Sequence, residues 1–160
     1  MTPHTITQAI ATAWPYVDPA MIERATLADL VITADAPMEL TQARDLALFG
    51  HAAITAVQRG AATDIDVSNL AVIANLSMLL AESGVGAEAL PDILAGMDAC
   101  NGLRLRHQRT GRAVATGPEL QALCRLIDLH DEQLHLQPSA RQMRAALGEM
   151  RRRMAEGRVL

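Results

Sequence analysis

The chain has 160 residues, a formal net charge of −4 and a half-hydrophobic composition, yet only Trp14, Tyr16 and Phe49 are aromatic. Ala (29) and Leu (21) dominate, while Val, Ile and the aromatics together number only 20. Ala and Leu are strong helix formers, and the scarce residues are those that strands favour. The composition excludes an all-β domain and leaves few aromatic platforms for stacking nucleic-acid bases. It predicts an all-α, single-domain compact helical bundle over residues 1–160. A domain of this size buries roughly 70% of its unfolded surface, enough for a core without disulfides or metals.

In chain order, Thr5 caps a short helix through Ile6, Ala9, Ile10 and Ala13, which Pro15 ends. A second helical pattern runs from Met21 to Ile32. Residues 1–34 therefore read as one or two N-terminal helical segments, loosely attached to the bundle. About five main helices follow. Asp35-Ala36-Pro37 starts the first, which continues through Leu46, Ile54 and Val57 to Arg59-Gly60. Gly50 within it suggests close approach by a neighbouring helix. Asp66 or Ser68 caps the second, from about Asn69 to Glu82. Its stretch from Leu70 to Ala81 is apolar all round except for Asn75 and Ser77, the pattern of a central core helix.

The third helix carries Pro91 in its first turns and ends in the polar run His107 to Arg112. Thr116 and Glu119 form a capping box for the fourth, which extends to Pro138. Ser139 caps the last, with Met143, Ala146, Leu147, Met150 and Met154 on one stripe. No repeat or sustained heptad is visible, and the linkers are short, which favours antiparallel neighbours.

Charge divides the chain. Residues 1–100 carry three Arg against twelve acids, and residues 101–160 eleven Arg against six, a balance of −9 against +5. Lys is absent. Arg104, Arg106, Arg109 and Arg112 straddle the end of the third helix, where cations complement the helix dipole and where an acidic partner or phosphate would also be held. Arg144, Arg151, Arg152 and Arg153 lie on the last helix, with Arg141. A nucleic-acid contact there would be salt-dependent. Gln142 to Gly148 has the outline of the first helix and glycine turn of a helix-turn-helix, but too little chain follows for a recognition helix.

Glu132 and His135 form Glu-x-x-His, and Asp128 shares their face. Helical di-metal sites use this spacing, but they need a second copy and two more Glu, which the sequence lacks. Trp14 and Tyr16, around Pro15, make an aromatic anchor for a partner or a lid. Cys100 and Cys124 read as free thiols, since neither has a neighbouring Cys. No phosphate loop, zinc spacing or nucleophile elbow appears.

The expected function is a small helical protein-interaction, regulatory or adaptor module without catalysis or cofactor. Its partner is another protein or a second copy, the latter suggested by the Met143, Met150, Met154 stripe. A nucleic-acid-associated protein using the Arg clusters and a metal-binding bundle are the alternatives. No basic segment precedes an apolar run near the N-terminus, and the twelve residues from Leu70 to Ala81 are too few to span a bilayer. A cytoplasmic location away from membranes is the resulting expectation.

Overall fold

The computed structural model describes residues 40–157, which form five α-helices with no strand among them. They are α1 (Leu40–Gln58), α2 (Asp64–Glu82), α3 (Leu90–Thr110), α4 (Gly117–His135) and α5 (Ala140–Ala155), with a short 3₁₀ turn at Ala87–Ala89 before α3. The all-α bundle expected from composition is present. The N-terminal segment with Trp14 and Tyr16 lies outside the described residues.

Helices α1 to α4 pack in an up-down square, each against its chain neighbour and α4 back against α1. Side-chain pairs fix the directions. Gln58 reaches Cys124 while His51 reaches Asp131, so α1 and α4 run antiparallel. His107 near the end of α3 meets Asp64 at the start of α2, so that pair is antiparallel too. The fifth helix lies outside the square and packs on α2. Helix α2 thus touches all four others. Its sequence demands this position: Ile73 to Ala81 is continuously buried, as is Leu70. Fully burying one Leu, Ile or Met stabilises by roughly 1.5–3 kcal/mol, so α2 anchors the core.

Local chemistry sets the helix ends. Thr63, rather than Asp66 or Ser68, caps α2: its hydroxyl accepts from the Asp66 N–H, and the Asp66 carboxylate accepts from the Thr63 N–H. Asp66 is therefore the reciprocal member of the box, and the helix starts about a turn earlier than the apolar pattern suggests. At 19 residues α2 is long and apolar enough to cross a membrane by length and composition, so the twelve-residue length argument does not hold. Most of the helix is buried inside the bundle instead, as the core helix of a folded domain would be. Thr116 with Glu119 and Ser139 with Gln142 form the boxes of α4 and α5. Helix α4 stops at His135, two residues before Gln137, which has a positive φ of 51°. Helix α5 runs unbroken through Gly148, so there is no glycine turn and no helix-turn-helix at that point.

Two glycines allow the helices to close up. A Cβ at Gly50 would stand 3.0 Å from Ile127 and 3.1 Å from Ile73, which accounts for the glycine in mid-helix. At Gly96 it would stand 2.7 Å from the Leu126 Cβ, so α3 and α4 pack as closely as they do only because that atom is missing.

Candidate interaction surface

The two Arg clusters fall at opposite ends of the molecule. His107, among the first cluster, meets Asp64 at the start of α2, and Arg153 of the second meets Glu82 at its end. The 19 residues between them make a rod of about 27 Å. One continuous basic surface is therefore not formed.

Much of each cluster is paired internally. Arg106 donates two hydrogen bonds to Glu119, at 2.9 and 3.0 Å, and a third to the Val114 carbonyl. The guanidinium, reinforced by the Thr116 N–H and hydroxyl, holds the Glu119 carboxyl down to about 2. This fork ties the end of α3 to the start of α4, a structural task for what the sequence offered as a contact residue. Arg104 is half-buried and donates to Asn101. Arg109 and Arg112 are exposed and have no acidic partner among the described residues.

On α5, Arg152 grips Glu149 and Glu156, and Arg153 bridges Glu149 to Glu82. The same Arg pair keeps the Glu149 carboxyl at about 2. Arg144 donates to the Ala140 carbonyl. Arg151 is exposed with no acidic partner among the described residues. The methionine stripe points the other way: Met143 and Met150 are buried in the core and Met154 packs against it. That stripe is satisfied within one chain, which removes the observation that motivated a dimer through it.

The Glu-x-x-His residues do not converge. Asp128 is exposed, Glu132 accepts from Arg125 at 3.4 Å, and the His135 Nδ1 bonds the Asp131 carbonyl at 2.7 Å. Among the described residues no group of three His, Cys, Asp or Glu is placed to hold a metal ion. Both cysteines are free thiols; burial pushes Cys100 up to about 12, and half-buried Cys124 faces Gln58.

Sequence reading missed a buried polar network. Ser77 Oγ and His130 Nδ1 share a 3.0 Å hydrogen bond, and Gln133 donates to the carbonyls of Ser77 and Val85, both at 2.9 Å. Burial lowers His130 to about 4, so the imidazole is neutral at pH 7. The signal was available: His130 and Gln133 follow Leu123 and Leu126 by seven residues each, on the buried phase of α4. His51, which has no acid nearby in sequence, meets Asp131 across the α1–α4 seam at 2.6 Å.

Among the described residues the exposed large apolar side chains are Leu48, Leu94, Leu105, Val114 and Leu136. Leu94 and Leu105 are eleven residues apart, three helical turns, and so share one face of α3 about 16 Å long. Leu90, Met97 and Asn101, each half-buried, lie on the same stripe between and beside them. The opposite face of α3 buries Ile93, Gly96, Ala99, Cys100 and Leu103. The outer face is mixed: Asp98 and Asn101 lie between Leu94 and Leu105, and Leu90 and Met97 also pack against the core.

No protein-family description, no curated protein and no solved structure matches this chain.

Proposed function

We propose that this chain is a small helical interaction module without catalytic activity, which binds another protein through the outer face of α3. The observation that carries this reading is the stripe Leu90, Leu94, Met97 and Leu105, with Leu94 45% and Leu105 51% exposed. Single exposed leucines are ordinary on a folded domain, but an aligned set at helical spacing is how one helix receives another. Unbranched Met97 adapts to a partner's shape. A cytoplasmic setting belongs to the same proposal.

A photo-cross-linking residue placed at Leu94 or Leu105, with Gln121 on α4 as control, tests it in cells. The expected result is a discrete protein adduct at both α3 positions and none at Gln121, lost when Leu90 and Met97 are changed to Asp. Equal adducts at all three positions, or adducts unaffected by those changes, overturn it.

A second reading keeps nucleic acid as the ligand, favoured by exposed Arg109 and Arg112 at one bundle end. It requires retention of DNA or RNA that weakens steeply with salt. Retention that is absent at low salt removes it.

A further inference from the structure

The charges of α3 are segregated along its length. Its acids, Asp92 and Asp98, stand in the first half, and Arg104, Arg106, His107 and Arg109 in the second. Several are held within the chain: Asp92 by Arg125, Arg106 by Glu119 and His107 by Asp64. Four exposed charges in or beside the helix have no oppositely charged partner among the described residues. They are Glu88 and Asp98 towards its start, and Arg109 and Arg112 at its end. The Asn101 oxygen accepts from Arg104, while the Asn101 amide nitrogen donates to no group among the described residues.

The outer face has a symmetry to match. Leu94, Asp98, Asn101 and Leu105 are spaced evenly about the midpoint between Ala99 and Cys100, the polar pair inside and the leucines outside. A second copy of the helix, antiparallel about a two-fold axis at that midpoint, sets Leu94 level with Leu105 and Asp98 level with Asn101, twice over. The free Asn101 amide then has the Asp98 carboxylate of the other copy as its acceptor. Glu88 of the second copy falls level with Gly111, between Arg109 and Arg112. A parallel copy would set the acidic half on the acidic half and the basic on the basic.

We infer that the outer face of α3 is the contact of a homodimer, in which two copies of this chain meet through antiparallel α3 helices. The inference rests on the reading of this face as an interaction surface and names its occupant. Charge divided end from end, around a core of paired leucines, favours a second copy over a foreign helix, because one sequence then supplies both complements. A single helix pair is a small interface, so monomer and dimer exchange reversibly. The same axis brings the two Asp98 carboxylates to within about 4.5 Å of one another along the helix direction. Their mutual repulsion opposes association at neutral pH.

Disulfide trapping in full-length chains with Cys124→Ser reads this geometry, since Cys100 is buried. Leu94→Cys and Leu105→Cys are made in separate chains of different tag length and oxidised together. In the antiparallel pair position 94 faces position 105. Two copies of position 94, or of 105, stand about 16 Å apart, beyond disulfide reach. The mixed 94–105 product is expected to exceed either self-product by about fivefold. Gln121→Cys, exposed on α4, is expected to give only background. Sedimentation of the wild-type chain should show a concentration-dependent dimer. Asp98→Asn should tighten it by about twofold or more, and Leu94→Asp/Leu105→Asp should abolish it, with folding checked by circular dichroism. Self-products in excess, a mixed product no greater than the control, or a dimer loosened by Asp98→Asn overturn the inference. A monomer that still gives adducts with other proteins at Leu94 and Leu105 in cells overturns the homodimer alone and assigns the face to a foreign partner. A monomer without such adducts removes the reading of the face as well.

Discussion

His130 and Gln133 show what a polar side chain costs inside an apolar helix seam. Each is 1% exposed and is kept by hydrogen bonds to Ser77, with Gln133 also bonding Val85. For His130 the balance depends on pH. Its folded value of about 4 lies below the ordinary 6.5, so between these values the unfolded chain binds more protons than the folded one. Stability from this group is therefore complete above pH 6.5 and falls as pH drops towards 4. Urea unfolding should show a loss of about 1 kcal/mol from this residue between pH 7 and 5.5. His130→Gln should flatten that slope while lowering stability at pH 7. An identical slope in wild type and variant would refute the assignment. Sequence reading passed over His130, because a histidine's burial depends on what faces it. The partner, Ser77, is 53 residues away.

Between elements, small residues and caps decide how closely helices approach. Replacing Gly96 by Ala would force α3 and α4 apart, since the new Cβ would stand 2.7 Å from that of Leu126. Overpacking of this kind costs about 1–3 kcal/mol, more than the ~1 kcal/mol that Ala gains over Gly in a helix. The net expectation is a lower melting temperature. Gly148, exposed in α5 with nothing within 4 Å of its Cβ site, should respond in the opposite direction, Gly148→Ala gaining up to about 1 kcal/mol. Thermal unfolding of the two variants side by side checks both signs; a shift in the same direction for both would defeat the packing argument. The capping box at Thr116 and the cap at Ser139 were readable in the sequence, whereas the reciprocal role of Gln142 opposite Ser139 came from the structure. The cap of α2 was placed at Asp66 or Ser68 and not at Thr63, because Asp66, itself a good cap residue, is the reciprocal acceptor of the box.

At the scale of the molecule, α2 is enclosed by every other helix, whereas α5 packs chiefly on α2. Local stability should follow that enclosure. Hydrogen exchange is expected to be slowest at α2 amides around Leu76 to Leu80 and fastest, among the five helices, in α5. Protection in α5 equal to that in α2 would show that the fifth helix is bound more firmly than its single packing face implies. The charge division reads differently at this scale as well. Asp64, Glu82 and Asp92, all from the acidic part, pair with His107, Arg153 and Arg125 from the basic part. The exposed Arg side chains that remain are divided between the two ends of the bundle and do not form one surface.

The sequence by itself determined the helical class, the core role of α2, the capping box of α4 and the cap residue of α5. Propensity, apolar period and capping are properties of residues within a few positions of one another. Only the tertiary structure decided that the Arg clusters fall at opposite ends of α2, a rod of about 27 Å, and that the methionine stripe faces inward. It also decided that Ser77 receives His130, and that the outer leucines of α3 are left facing out. Those outcomes depend on which helices meet and at which end, a choice made by close packing between segments dozens of residues apart.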